Sequence, residues 1–392
     1  MPTVDGAMAY VPHALPREID LKPALVNLLA RAERALGRLD GVTARLVNPY
    51  LLGSPLLRRE AILSSRIEGT VTTPEDLVLF EAGTPPLQEQ RGQDALEVSN
   101  YVKAMQYALK RAKSLPVSLR LIREIHHELM RGVRGGESQP GEFRTSQNFV
   151  GRKDATIHQA RFVPPPVPEM KTALAEFESY LHLESAPGTA PPGAGTRDEI
   201  APLLVRLALT HYQFETIHPF RDGNGRVGRL LIPLLLISHD RLREPLLYMS
   251  GYFEQHRSAY YDHLLAVSQT GEWTPWVEFF LRGVEETALE AIAEAEALIA
   301  LRDKWHDQFQ SARSSALLLK LIDHLFKSPS ITIGRAATLL KVTQVSAANN
   351  VQKLVDAKIL TERTGRKWGR VYVAMDLLKF MDRRPPAKKK NR

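Results

Sequence analysis

Apolar residues recur every three or four positions along most of this chain, and that spacing predicts a mainly α-helical protein because it gathers them on one helix face. The segments with this spacing are 21–39, 54–67, 95–112, 117–131, 167–183, 200–217, 224–239, 259–267, 273–300, 314–327, 332–340 and 344–358. Two of them, 200–217 and 224–239, are apolar on nearly every side and are expected in the core. Residues 1–20 lack the period, so we expect an extended arm.

Two pairs of short runs have the pattern of strands and predict β-hairpins. The first pair is 148–151 and 160–163, which ends at a run of three prolines because proline lacks the N–H that a ladder needs. We expect this small hairpin to project from the helices. The second pair lies within 361–374, around a glycine-bounded turn. It follows three short helices, an order typical of a winged helix-turn-helix.

Local composition completes the domain prediction. Residues 186–195 form a Pro/Gly/Ala linker, and residues 383–392 form a basic tail that we expect to be disordered. The predicted units are an N-terminal helical region (1–110), a central helical core (111–300), a winged helix-turn-helix (301–382) and the tail (383–392).

The overall composition is that of a globular protein, with 44% hydrophobic and 24% charged residues among 392. The sequence shows no apolar run of about 18 residues, no secretory signal and no cysteine. We therefore expect no membrane partner and a reducing, cytoplasmic location. Residues 313–392 hold 18 Lys and Arg against 5 Asp and Glu, while the rest of the chain holds 34 against 39. The net charge of +8 thus belongs to the C-terminal region.

The twelve residues from His218 to Arg229, HPFRDGNGRVGR, join two predicted helices and carry most of the recognisable chemistry. His218 can accept a proton near neutral pH, and Asp222 is an oxygen ligand suited to Mg²⁺. Gly223 and Gly225 permit a tight bend whose N–H groups converge on an anion where the next helix begins. The segment therefore fits a nucleotide triphosphate.

Two arginines strengthen this interpretation. Arg226 and Arg229 lie three apart in the first turns of that helix, where the positive end of the helix dipole makes cations unfavourable. A polyphosphate would neutralise them. Taken alone, Asp-Gly-Asn-Gly is most simply a turn with a capping residue. The full pattern favours function, because about eight fixed positions arise by chance roughly once in 10^10 windows.

The pattern resembles the signature of the Fic (filamentation induced by cAMP) family, HPFx[D/E]GNGRxxR, with every specified position filled. Segments that resemble the same family extend over about residues 30–300, including 141–144, 148–151 and 162–166. The resemblance implies a Fic-type helical bundle with a small β-hairpin flap, to which the winged helix is attached. It also implies a protein adenylyltransferase, which moves AMP from ATP to a Tyr, Thr or Ser hydroxyl of a protein.

Each motif residue acquires a role from this resemblance. His218 deprotonates the target hydroxyl, and Asp222 binds the Mg²⁺ that bridges the phosphates of ATP. The residues that hold the phosphates are Gly223, Asn224, Gly225, Arg226 and Arg229. Three tyrosines are candidates to pack on adenosine, with ordinary core packing as an equal alternative: Tyr252, Tyr260 and Tyr261.

An inhibitory motif of the family, [S/T]xxxE[G/N], is matched by Ser64, Glu68 and Gly69. The resemblance places Glu68 against Arg229, in competition with the γ-phosphate; a surface glutamate at a helix end is the alternative. We expect the flap to pair with an extended target segment through backbone hydrogen bonds, or else only to cover the core. The flap residues are Asn148, Phe149, Val150, Gly151 and Phe162.

Other functions fit parts of the sequence. Relatives that share the motif remove AMP or transfer another phosphate-linked group. A DNA-binding regulator with the Fic core as a sensor is a different class, supported by wing cations placed for phosphate contact: Arg363, Arg366, Lys367 and Arg370. Docking of a protein on the winged helix is equally open, as are the target, the signal that relieves inhibition and the oligomeric state, a homodimer included.

Overall fold

The computed structural model describes residues 1–44, 50–86, 88–133, 139–152, 155–183, 200–310 and 315–382. The predicted linker at 186–195 and the predicted tail at 383–392 lie outside the described residues. Within the described part, no helix is both long and apolar enough to cross a membrane.

The protein is mainly helical, as predicted. The helices are α1 (Pro23–Ala44), α2 (Tyr50–Ile67), α3 (Pro74–Glu81), α4 (Glu89–Arg111), α5 (Leu119–Leu129), α6 (Val167–Leu181), α7 (Leu203–Ile217), α8 (Asn224–Ser238), α9 (Ser250–Gln255), α10 (Arg257–Thr270), α11 (Thr274–Asp307), α12 (Ser315–Lys327), α13 (Ile333–Leu340), α14 (Gln344–Asp356) and α15 (Met375–Asp382). The strands are β1 (Ser330–Thr332), β2 (Thr361–Glu362) and β3 (Val371–Val373), and a short 3-10 helix spans Ile157–Gln159.

Helices α7 and α8 form the centre of the core, because almost all of their side chains are buried. The long helix α11 packs along both α7 and α1. Its Trp276 indole donates a hydrogen bond to the Ala208 carbonyl at 2.9 Å, which ties α11 to α7. Helix α2 contacts α4, α8 and α9 on the core side and α12 and α15 on the other. This arrangement makes α2 the element between the motif loop and the C-terminal module.

The start of α2 differs from the prediction. The helix begins at Tyr50, so Ser54 and Pro55 lie inside it and Ser54 is not an N-cap. The Ser54 hydroxyl instead donates to the Lys327 carbonyl of α12 at 2.7 Å. A tertiary hydrogen bond has therefore taken the hydroxyl that local sequence assigns to capping.

The N-terminal arm is not simply extended. Its first residues fold back on themselves, with Pro2 and Met8 paired in an antiparallel bridge. Beyond that turn the arm runs over the core, where the Tyr10 N–H donates to the Val163 carbonyl at 2.9 Å. The Gln213 side chain of α7 donates to the His13 carbonyl at 2.9 Å.

The described residues of the flap pair at a single point. Val150 and Phe162 form a single antiparallel bridge, and the Val150 N–H donates to the Phe162 carbonyl at 2.8 Å. The segment between them contains the 3-10 helix rather than a tight turn.

The C-terminal module follows the predicted order with additions at two places. Strand β1 comes between α12 and α13, and α15 follows the hairpin. The sheet order is β1-β3-β2, all antiparallel, with Ile331 opposite Tyr372 and Thr361 opposite Val373. The module packs through α12 and α15 on α2 and through α15 on α3.

Candidate active site

The motif loop between α7 and α8 has two left-handed residues. His218 follows the last residue of α7 with φ 50° and ψ 58°, and Gly223 precedes α8 with φ 78°. A non-glycine residue in this region carries a cost of roughly 1–2 kcal/mol, so the surrounding contacts must hold His218 there. The Asn224 side chain supplies one of them: it accepts from the Phe220 N–H and donates to the Phe220 carbonyl, both at 2.8 Å.

Two residues that the sequence did not single out as site residues also hold the loop. His126 of α5 donates from Nε2 to the Asp222 carbonyl at 3.0 Å, accepts from the Gly141 N–H at 2.8 Å and stacks on Phe220 with ring centres 3.7 Å apart. Burial lowers the pKa of His126 to about 4, so it is neutral at pH 7. The sequence did contain one indication that His126 is buried: it lies at helical spacing from the apolar residues Ile122 and Leu129.

Arg144 links the loop to the flap. Its Nε donates to the His218 carbonyl at 3.0 Å, and its terminal nitrogens donate to the carbonyls of Ser146 and Pro165. Burial lowers the pKa of Arg144 to about 10, which still leaves it charged at pH 7. A flap residue also holds the motif loop, because the Asn148 side chain donates to the Phe220 carbonyl at 3.0 Å.

The His218 imidazole is arranged as a base. Its Nδ1 lies 3.2 Å from the Glu215 carbonyl. A carbonyl oxygen only accepts, so Nδ1 carries the proton and Nε2 has the free lone pair. Burial lowers the pKa of His218 to about 4, which keeps this lone pair available at neutral pH.

The Asp222 carboxylate is half exposed, at 56%, beside the start of α8. One of its oxygens accepts from the Gly223 N–H at 2.6 Å, and the other lies 3.4 Å from Arg226. Among the described residues no group of three His, Asp or Glu side chains converges as a ready-made metal cage. A single exposed carboxylate fits Mg²⁺, which usually keeps waters and shares its ligands with phosphates.

Both motif arginines are buried, and each meets a carboxylate from the N-terminal region. Arg226 lies 3.1 Å from Glu97 of α4. Arg229 lies 2.6 Å from Glu68 and also donates to the Ser64 hydroxyl at 2.9 Å and to the Ser64 carbonyl at 3.0 Å. The structure thus brings Ser64 and Glu68 onto Arg229.

Electrostatics favour the Glu68–Arg229 pair in its charged form. Burial opposes ionisation of Glu68, but Arg229 outweighs it and holds the pKa of Glu68 below its usual value. Helix α2 ends at Ile67, and Gly69 turns the chain just after Glu68 with φ 95°, a conformation that glycine adopts without strain.

Gly225 leaves the space that the Glu68 carboxylate fills. A Cβ at this position would collide with Glu68 Oε1 and lie 2.8 Å from Arg229 Nη1. The Glu68 carboxylate therefore lies against the first turn of α8, where free N–H groups and the helix dipole favour an anion.

A cleft of about 630 Å³ runs past this pair. Its lining brings together His218, Gly225 and Arg229 of the motif segment, Glu68 of the inhibitory motif, Val150, Arg161 and Phe162 of the flap region, and, on the far side, Tyr260, Tyr261 and Leu264. Tyr261 has the Arg161 guanidinium 5.4 Å from its ring centre. Tyr260 is fully buried, bonds His211 at 2.9 Å and stacks on Phe253, so it is a core residue with one side on the cleft.

Tyr252 lies apart from the other two candidate tyrosines. It does not line this cleft but a separate cavity behind α2, with Glu60 and Tyr248. Its ring packs on His256 and Phe279, with centres 4.4 Å and 5.0 Å away. Core packing, the alternative for this tyrosine, therefore describes Tyr252. Its distance from the motif along the chain does not indicate where its side chain points.

Glu215 is a cleft residue that the sequence analysis did not select. Burial raises the pKa of Glu215 to about 7, although Arg229 acts against this shift. Its Oε1 is buried and has no hydrogen-bond partner within the described part of the chain. Glu215 is three residues before His218. Its carboxylate lies against Gly228 of α8, where any side chain would collide with it.

Comparison with known proteins agrees with this geometry. Residues 26–110 match the Fic/DOC family N-terminal domain, and residues 116–236 match the Fic/DOC family domain itself. The chain belongs to the Fic/DOC family. The Fic resemblance of the motif is thereby confirmed, and the two matched regions include both the Glu68 segment and the motif loop.

Named relatives of this Fic protein include two insect proteins called protein adenylyltransferase Fic. The one from Aedes aegypti is 33% identical over 171 residues, which is 44% of this chain and 28% of the relative. The one from Drosophila willistoni is 29% identical over 270 residues, or 65% of this chain and 47% of the relative. The chain thus spans less than half the length of either relative.

A solved structure supports the fold. A Fic family protein from Desulfovibrio desulfuricans G20 superposes with a TM-score of 0.57 and 21% identity, covering 92% of this chain and 98% of that one. The predicted Fic-type helical bundle is therefore confirmed.

Proposed function

We propose that this Fic protein is an adenylyltransferase that moves AMP from ATP to a hydroxyl of a protein and is held inactive by Glu68. The observation that carries the proposal is the Glu68 carboxylate on Arg229, at the start of α8 and in one cleft with a neutral His218. In this proposal the Glu68 carboxylate occupies the position of an ATP phosphate, next to His218 as the base.

In this reaction the target oxygen attacks the α-phosphorus of ATP. The new O–P bond forms, the bond to pyrophosphate breaks, and the hydroxyl proton passes to His218 Nε2. The free N–H groups at the start of α8 would hold the α-phosphate oxygens as their charge grows. Arg226 and Arg229 would hold the other phosphates and so orient the α-phosphate for in-line attack.

Asp222 is the residue that would hold Mg²⁺ in this proposal. When bound, the ion supplies charge neutralisation to the departing pyrophosphate. The contribution of the chain is to fix Asp222 beside the phosphate site: the Gly223 N–H binds its side chain, and His126 binds its backbone carbonyl.

Autoinhibition follows from competition for Arg229. With Glu68 in place, the guanidinium and the space over Gly225 are occupied, so the terminal phosphate of ATP has no site. An ATP molecule that binds around this obstacle would have its α-phosphate displaced, and misplacement by about 1 Å can reduce a rate roughly 100-fold.

The target class follows from the flap. Val150 and Phe162 reach the cleft that contains His218. A protein segment that adds to the flap edge would pair through its backbone, which leaves its side-chain sequence free to vary. We therefore propose a Tyr, Thr or Ser in an extended segment as the acceptor.

The deciding experiment compares purified wild type, Glu68→Gly, His218→Ala and the double variant for incorporation of labelled AMP from ATP, with modified peptides identified by mass spectrometry. We expect Glu68→Gly to raise labelling by one or more orders of magnitude and the double variant to be silent. His127→Ala, at an exposed histidine, and Glu272→Gly, on an exposed loop, are matched controls. Equal rates for wild type and Glu68→Gly would refute autoinhibition, and labelling by His218→Ala would refute the assigned base.

A second activity is supported by the C-terminal module, which we propose to be a winged helix-turn-helix that binds duplex DNA. Residues 315–382 hold 11 Lys and Arg against 5 Asp and Glu. The tip of the hairpin is exposed and carries Lys367, Arg370 and a Trp368 that is 82% exposed. Binding should weaken steeply as salt increases, since phosphate contacts release counterions. Retardation of duplex DNA by the full chain at low and physiological salt tests this activity.

A further inference from the structure

The hairpin of the C-terminal module, which we call the wing (residues 361–373), contacts α3 and the turn after it as well as solvent. Arg363 of the wing lies 2.6 Å from the Glu75 carboxylate, and Arg366 donates to the Thr84 hydroxyl at 3.3 Å. Arg335 at the start of α13 donates to the Glu81 carbonyl at 3.2 Å. Two of the cations that the sequence predicted for DNA phosphates therefore already contact oxygen atoms of the protein, Arg363 on α3 and Arg366 on the turn that follows it.

The surface of α3 resembles a phosphate backbone in its chemistry. The helix carries three carboxylates, at Glu75, Asp76 and Glu81, and no lysine or arginine. Arg91 pairs with Asp76, and Arg58 pairs with Glu81, so Glu75 is the carboxylate that faces the wing. The Glu81 carbonyl adds the negative end of the helix dipole.

These contacts are weak enough to exchange. Arg363 and Glu75 are 38% and 31% exposed, and an ion pair in such a position contributes little because water and salt screen it. DNA offers several phosphates at once to the same cations, so it would replace the single carboxylate at low cost.

Helix α3 is joined directly to the inhibitory glutamate. Only four residues separate Glu68 from Thr73, the N-cap of α3. Helix α2 is held by the same module, because Arg58 pairs with Glu81 and also donates to the Lys327 carbonyl at 3.2 Å. The module, α3 and the end of α2 thus form one continuous set of contacts that reaches Arg229.

From these contacts we propose that duplex DNA competes with α3 for Arg363 and with Thr84, just after α3, for Arg366. DNA binding would therefore loosen the α2–α3 corner and release Glu68 from Arg229. DNA would then activate transfer. Coupling between two sites is reciprocal, so removal of Glu68 must tighten DNA binding by the factor with which DNA favours the released state. Both halves of this inference rest on the DNA binding proposed above, and only the activation half also rests on the proposed adenylyl transfer.

The competition is tested by DNA affinity alone, measured with the full chain by fluorescence anisotropy of a labelled duplex at low salt. We expect Glu75→Gln to tighten binding several-fold relative to wild type. Glu89→Gln, exposed at the start of α4 and outside the module, makes the identical charge change and is the matched control. An equal gain from Glu89→Gln, no gain from Glu75→Gln, or no DNA binding at all would overturn the proposal, the last in favour of a protein partner.

The coupling is tested by Glu68→Gly in the same affinity assay, with an expected gain of twofold or more; an unchanged affinity would refute it. Labelling by wild type should rise with saturating duplex, while labelling by Glu68→Gly should not. If no variant labels any protein, the proposed function fails, and the two affinity comparisons still decide the present inference.

Discussion

At the scale of single residues, His218 has an unusual titration. Burial lowers its pKa to about 4, well below the ordinary value of 6.5. A lowered histidine pKa means that the neutral, proton-accepting form persists as the pH falls, until the pH approaches 4. We expect NMR of labelled histidine, with His218→Asn to assign the signal, to show a neutral ring from pH 7.5 down to 5. A midpoint near 6.5 would contradict the buried geometry.

The residue scale also separates what sequence can predict from what it cannot. His218, Glu68 and Arg229 were each singled out by the resemblance of their segments to Fic motifs, and the structure places all three in one cleft. Tyr252 and His126 show the limit. The direction in which an aromatic ring or a buried imidazole points depends on the elements packed around it, which a single sequence does not specify.

At the scale of elements, the short helix α3 depends on its start. The Thr73 hydroxyl accepts from the Asp76 N–H at 3.1 Å, and the Asp76 carboxylate accepts from the Thr73 N–H at 3.4 Å, which completes a capping box. Thr73→Ala should lower the free energy of unfolding by about 1 kcal/mol. Denaturant titration measures the change.

Thr338→Ala, on an exposed face of α13, is the matched control for this cap. Its hydroxyl donates only to the Gly334 carbonyl of its own helix, so we expect almost no loss of stability. Equal losses for the two variants would show that the cap does not stabilise α3.

Element prediction succeeded where the apolar period was long and failed where it was short. Helices α7 and α8 lie close to the predicted bounds because each buries nearly its whole surface. Helices α3 and α15 were not predicted, although α13, which also has eight residues, was; a single turn or two gives the apolar period little room, and β1 has only three residues. The start of α2 was misplaced because the Ser54 hydroxyl bonds Lys327, a residue 273 positions away.

At the scale of the whole molecule, three neutral buried histidines predict sensitivity to acid. Burial lowers the pKa of His126 to about 4, of His211 to about 3 and of His218 to about 4. Between pH 6.5 and these values the unfolded chain binds more protons than the folded one, so stability falls as the pH falls. Glu215 acts in the opposite sense, because its raised pKa of about 7 destabilises the fold as the pH rises from 4.5.

His263 and His324, whose pKa values burial also lowers, act with these three histidines, while Glu33, Glu60 and Glu244, whose pKa values burial raises, act with Glu215. We expect the histidines to prevail, so that the free energy of unfolding at pH 5 is lower than at pH 7.5 by about 2 kcal/mol. Denaturant titrations at the two pH values check this difference. The exposed His127→Ala should show the same dependence as wild type. A stability that stays constant or rises on acidification would show that the histidines are not buried in their neutral form.

The hydrogen bond from the Tyr10 N–H to the Val163 carbonyl affects how copies of the protein can associate at high concentration. An exposed strand edge can pair with the edge of another copy of the chain. Such pairing builds a fibre when each added copy exposes a further unpaired edge. In the flap the arm has covered the edge on the Val163 side, because consecutive residues of a strand direct their backbone groups to opposite sides. Among the described residues no other segment forms a backbone hydrogen bond with the edge of Phe149 and Gly151, so this edge can receive a further strand. Two molecules that meet there use up both free edges, so this route ends in a closed pair instead of a fibre.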